Sequence, residues 1–195
     1  MIDKGADIND VDDNGKTVLH VLCHYYEGEE MIPIIRLFAS YGIDLNARHK
    51  TGKTALHFIC QNRKPGGCIY PVFKLLIEEY GIRLDPNEYY VKTALHYLCE
   101  KYQGKDLFDV IKLLVDRGVV DVKTKDANDM TVLHHFCRNY EGDDLIKIIK
   151  FFMENGVDYV CKTKEGRAAK DLLRLRDYLF EEETIEEAFK LLTPK

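Results

Sequence analysis

The sequence predicts an all-α solenoid of stacked helix pairs, and three observations carry that expectation. One phrase occurs four times, as Thr17-Val18-Leu19-His20, Thr54-Ala55-Leu56-His57, Thr93-Ala94-Leu95-His96 and Thr131-Val132-Leu133-His134, with threonines 37, 39 and 38 residues apart. A cysteine stands three residues after each histidine, at Cys23, Cys60, Cys99 and Cys137. A second apolar segment then follows each time and ends at a glycine: Gly42, Gly81, Gly118 or Gly156. A fixed long period marks a repeat protein, in which each unit hides its apolar face against its neighbours.

Each unit reads as two antiparallel helices followed by an extended turn. Threonine suits the start of the first helix because its hydroxyl can accept an orphan backbone N–H. Leu19, Leu22 and Cys23 then share one helical face, and Leu107, Val110, Ile111 and Leu114 repeat that spacing in a second helix. The glycines suit the left-handed position that closes a helix. Pro33 and Pro71 stand near the start of second helices, where a missing N–H is tolerated. The stretch from Asp44 to Lys53 is polar and turn-rich, so it is not helical.

These residues resemble the ankyrin repeat, whose Thr-Pro-Leu-His phrase opens its first helix, in a long-period form of about 37–39 residues. Val18, Ala55, Ala94 and Val132 stand where the family has proline. Leu22-Cys23, Ile59-Cys60, Leu98-Cys99 and Phe136-Cys137 stand where it usually has two alanines. The resemblance implies β-hairpin turns projecting from the helix stack and a concave surface that receives partners. It organises residues 1–195 as a single domain. Residues 1–13 are the tail of a preceding repeat, four full repeats span about 14–161, and 162–195 form a degenerate capping repeat. In that cap Thr184 and Glu187 are expected to make a capping box. Ile185, Ala188, Phe189 and Leu192 should face inward, and Glu181, Glu182, Glu183 and Glu186 should face water.

Composition narrows the function classes. The net charge of -5 comes from 33 acidic and 28 basic residues mixed along the chain, which gives no general attraction to nucleic acid or anionic membranes. No apolar run approaches the ~20 residues that cross a bilayer. Met1 to Asp13 lacks the apolar core of a signal peptide. Six cysteines in such a chain suit a reducing, intracellular and cytoplasmic setting.

The repeated His-x-x-Cys pair is the most tempting chemical signal, since it could offer two zinc ligands. Equivalent pairs in stacked helices lie about 10 Å apart, too far to clasp one ion at bond lengths near ~2.2 Å. The structural alternative makes cysteine a small buried hydrophobe and has histidine bond the neighbouring turn's backbone. The same pair in every unit, without an orienting carboxylate or anion site, also argues against nucleophilic catalysis. The expectation is therefore no metal, no cofactor and no catalytic residue. Cys68 and Cys161 lie outside the column and are expected to be the more exposed thiols. Tyr26, Tyr102 and Tyr140, each two residues before a glycine, are expected to stack between units with hydroxyls reaching water.

Residues that differ from unit to unit are better candidates for recognition, because a partner meets each unit differently. On the exposed side of the first helices these are His24 and Tyr25, Gln61 and Asn62, Glu100 and Lys101, and Arg138 and Asn139. Tyr89, Tyr90 and Lys92 join them at a hairpin tip, with the tyrosine pair as the anchor candidate. The expected function is a protein-interaction scaffold that binds another protein through this concave row and the tips. The alternative is a set of architectural spacer repeats within a larger protein carrying a catalytic or membrane domain elsewhere. A monomer is expected, with self-association open to the N-terminal end.

Overall fold

The computed structural model describes residues 5–26, 28, 30–62, 68–82 and 92–194, with Asn62 described by its backbone alone. The first helices are α1 (Val18–Tyr25), α3 (Ala55–Asn62), α5 (Ala94–Lys101), α7 (Val132–Asn139) and the shorter α9 (Ala169–Arg174). Each packs on the next in one continuous layer. The second helices are α2 (Met31–Ser40), α4 (Tyr70–Lys74, continuing as a π-helical turn over Leu75–Glu79), α6 (Leu107–Asp116), α8 (Leu145–Glu154) and α10 (Glu182–Leu191). They form a looser second layer. A single apolar core runs from Ile8 to Leu192. Gly42, Gly81, Gly118 and Gly156 all adopt positive φ, so they close the second helices as their sequence positions imply.

Four turn tips share one wiring. Asp12, His49, Asp126 and Thr163 open them, and each donates its backbone N–H to the carbonyl four residues on: Lys16, Lys53, Met130 and Arg167, at 2.9–3.1 Å. The side chain of the opening residue accepts the returning N–H, as when Asp126 Oδ1 accepts from Met130 at 3.0 Å and His49 Nδ1 accepts from Lys53 at 3.0 Å. Neighbouring tips are also tied: Lys50 N–H donates to the Asn14 carbonyl and Lys164 N–H to the Asn128 carbonyl, both at 3.0 Å. These bonds make hairpin-like loops rather than strands. Among the described residues the one strand-type pairing is the bridge between Lys125 and Thr131.

The repeated histidine is a structural strut. Nδ1 of His20, His57, His96 and His134 accepts the backbone N–H of the threonine three residues earlier, at 3.1–3.2 Å. That bond assigns the ring proton to Nε2, which donates to the next tip: His20 to the Lys53 carbonyl at 3.3 Å and His96 to the Met130 carbonyl at 3.2 Å. Histidine thus caps its own helix in the role glutamate plays in a capping box, and it reaches across to the next unit. Threonine contributes less to the cap than expected, since Thr93 Oγ1 accepts a long 3.4 Å bond from His96 N–H while the other hydroxyls rest against the imidazole. In the fifth unit Asp171 Oδ2 accepts the Ala168 N–H at 2.9 Å and performs the capping half of the task.

Two expectations need correction. Helix α10 begins at Glu182, so Thr184 lies inside it and makes no capping box; Glu187 instead pairs with Lys150 at 2.7 Å. Of the expected apolar side of α10, Ile185, Ala188 and Leu192 are buried and Phe189 is partly buried against the core. The tyrosine hydroxyls do not all turn to water. Tyr102 donates to Asp106 Oδ1, and the Tyr140 hydroxyl accepts the Asp144 N–H at 3.0 Å. Each ring lies so close to the glycine two residues on that a β-carbon at Gly28 or Gly142 would come within 2.5 Å of the hydroxyl oxygen. Asp106 then reaches the preceding unit, where its Oδ2 accepts the N–H groups of Ile69 and Tyr70 at 2.7 Å and caps α4.

Candidate functional site

The residues that vary between units gather along the C-terminal ends of the first helices and the adjoining tips. Tyr25 is 72% exposed, and its ring meets the edge of His24, with centroids 4.2 Å apart. His24 leans on Phe58 of the next unit, at 5.4 Å, and Lys16 sits over the same ring at 5.1 Å. Lys53 donates to Gln61 Oε1 at 3.1 Å and lies 4.8 Å from the Tyr97 ring centroid. Lys92 pairs with Glu100 at 2.6 Å, while Lys101 lies 3.4 Å from the other carboxylate oxygen. Arg138 is exposed, its carbonyl accepts from Arg176 at 3.2 Å, and among the described residues its guanidinium has no hydrogen-bond or ion-pair partner. Asn139 is turned inward, donating to the His135 carbonyl at 2.8 Å. Its own carbonyl accepts from Gln103 at 2.8 Å. Tyr89, Tyr90 and the Asn62 side chain lie outside the described residues.

The row therefore has two kinds of member. Gln61, Lys92, Glu100 and Asn139 are engaged by neighbours, which fixes their geometry. Tyr25, Lys101 and Arg138 project into solvent. By contrast the repeated column is closed: His20, His57, His96 and His134 are each at most 1% exposed, and the four cysteines at most 2%. Burial pushes the Cys99 and Cys137 thiols far above their usual range, which leaves them protonated and unreactive. Cys68 is exposed and Cys161 half-buried. Among the described residues no group of three or more His, Cys, Asp or Glu is placed to hold a metal.

One polar cluster was not read from the sequence. His135 Nε2 donates to Asp126 Oδ2 at 2.8 Å with both side chains buried, and the His96 ring meets the His135 ring edge-on at 5.5 Å. Burial lowers His96 to about 4, helped by His135 beside it. Burial also lowers His135, against the opposing pull of Asp126. Burial works to raise Asp126, but the bonds from His135 and from the Met130 and Asn128 N–H groups outweigh it, and its pKa falls below the usual carboxylate range. The pair is a neutral imidazole donating to a carboxylate, a support for the tip rather than a reactive dyad. Its signal was a second histidine in a column that otherwise holds Val21, Phe58 and Tyr97.

A stack of helix pairs with one closed, repeated column and one exposed, varied row defines a helical repeat protein. The family model for ankyrin repeats (three copies) matches residues 1–88 and 66–163, and the chain belongs to the ankyrin-repeat family. No curated protein matches the chain. Among solved structures it is similar to the ankyrin-repeat protein EF0377, with 23% identity and a TM-score of 0.70 over 98% of this chain and 86% of that one. It is also similar to a chain in the complex of a predatory endopeptidase from Bdellovibrio bacteriovorus with an immunity protein. That match has 18% identity and a TM-score of 0.67, covering 97% of this chain and 88% of that one. Both likenesses are of fold. The fold is typically a non-catalytic binding scaffold, and no helix among the described residues is long and apolar enough to cross a membrane.

Proposed function

We propose that the chain binds a partner protein through the exposed ends of its first helices and the adjoining tips, and that it catalyses no reaction. The observation that carries this reading is the contrast within a single helix. In α5, His96 and Cys99 recur in the other units and are buried, whereas Lys101 differs between units and has a half-exposed side chain. In α7, Cys137 is buried and the adjacent Arg138 is exposed. Packing asks the same of every unit, so residues that repeat serve the stack and those that vary are free to serve a partner. The complex that contains a chain of similar fold is consistent with a scaffold role. Tyr89 and Tyr90, which lie outside the described residues, remain proposed anchors on their residue type.

The test compares proteins captured by the parent chain with those captured by a triple variant, Tyr25→Ala with Lys101→Ala and Arg138→Ala. A protein retained by the parent and lost by the variant, with melting temperatures matched, supports the reading. Equal capture by both would remove this row from the function.

A further inference from the structure

The two middle units of the row carry an internal pairing that the fourth unit inverts. The residue before each helix-opening threonine is Lys16, Lys53, Lys92 or Met130, and the residue after each repeated cysteine is His24, Gln61, Glu100 or Arg138. In the middle units the lysine is satisfied within the unit, by Gln61 at 3.1 Å and by Glu100 at 2.6 Å. In the fourth unit a methionine replaces the lysine and an arginine replaces its acceptor. Neither the Arg138 guanidinium nor the Lys164 ammonium has a hydrogen-bond or ion-pair partner among the described residues.

Those two cations border a pocket of about 130 Å³ between the tips opened by Asp126 and Thr163, also lined by Asn128, Met130, Arg167 and Leu172. Met130 and Leu172, 6% and 4% exposed, give it an apolar floor. Glu165 also lines it, but it is well exposed and lies 3.8 Å from Arg167, so Arg138 and Lys164 retain an unmatched charge of +2. The apolar floor suits a methylene stem, and the planar guanidinium at the rim suits a carboxylate head.

We propose that this pocket receives the carboxylate side chain of a glutamate or aspartate on an extended segment of a protein partner. The inference rests on the protein-binding reading above and supplies the charge chemistry of that partner. Elsewhere in the row Glu100 neutralises Lys92, and Lys53 is occupied by the Gln61 amide oxygen and the Tyr97 ring, so the two cations without a partner stand together at the tips opened by Asp126 and Thr163.

The test is an amide-resolved NMR titration of the full chain with acetylated, amidated hexaglutamate. Hexaglutamine and inorganic phosphate serve as parallel probes. Hexaglutamate should shift Asn128, Arg138, Lys164 and Leu172, and neither other probe should do so at the same concentration. Arg138→Gln should weaken hexaglutamate binding at least tenfold. Lys164→Gln, on a different element, should weaken it about threefold, with melting temperatures unchanged for both. Unchanged affinity in both variants overturns the proposal, as do shifts centred on Lys16, Lys53 or Lys92, or equal binding of phosphate. A captured partner that binds Arg138→Gln as tightly as the parent also overturns it, while leaving the wider row reading standing.

Discussion

The first and fourth units carry the same Thr-Val-Leu-His phrase and bury it differently. Val18 and Val21 of α1 are each 42% exposed, whereas Val132 and His135 at the same positions of α7 are 0% and 3% exposed. Helix α7 packs against α5 on one side and α9 on the other; α1 packs on α3. Phe136 of α7 lies at the centre of this packing, stacked on Tyr140 at 4.5 Å and edge-on to Phe152 at 6.0 Å. Its counterpart in α1, Leu22, is only partly buried. The phrase therefore specifies half an interface, and the preceding unit supplies the other half.

The largest expected effect is at the centre of the better-packed unit. Phe136→Ala should cost about 3–5 kcal/mol in denaturant unfolding. Leu22→Ala should cost less than half as much, because its side chain keeps part of its surface in water. Equal losses would break the comparison.

Acid should act on both units, through the buried histidine that each carries. His20, His96, His134 and His135 have folded pKa values below their ordinary ones, so the unfolded chain binds more protons as pH falls below about 6.5. Their contribution to stability is complete above that pH and is lost on the way down to the folded values, about 4 for His96. His96 alone accounts for up to about 3 kcal/mol at ~1.4 kcal/mol per pKa unit. Asp126 adds a further loss below about pH 4, where the unfolded carboxyl takes up its proton first. Unfolding midpoints measured from pH 7 to 4 should fall steadily, and a flat profile would contradict the neutral, buried assignment.

A like-for-like pair sharpens the contrast at smaller scale. Val132→Ala should cost about 2 kcal/mol and Val18→Ala well under 1 kcal/mol, from the different apolar area each removes from water. Alkylation of the native protein gives a readout of the repeated column itself. Cys68 and Cys161 should react first, and Cys23, Cys60, Cys99 and Cys137 only on unfolding, as counted by mass spectrometry.

Most of the scaffold was legible because every unit poses the same packing problem. The helix pairs, the closing glycines, the buried cysteines and the imidazole bond to the next tip all follow from period and residue type. What escaped depends on contacts between distant units. The partner of the Tyr102 hydroxyl, Asp106, is not evident until the start of α4, more than thirty positions earlier in the chain, is seen to need a cap. The Tyr-x-Gly-x-Asp spacing at 102–106 and 140–144 was the available signal. The row was legible as a set of varied residues. Its division into members engaged by neighbours, such as Glu100, and members left open, such as Arg138, was not. That division depends on which side chain eight residues away can reach back.

Hydrogen exchange along the free chain tests most directly the claim that neighbours, rather than the phrase, hold each unit. Backbone amides in helix 132–139 should exchange only with global unfolding, while those in helix 18–25 should exchange through local opening at least a hundredfold faster. Equal protection of the two helices would contradict the account.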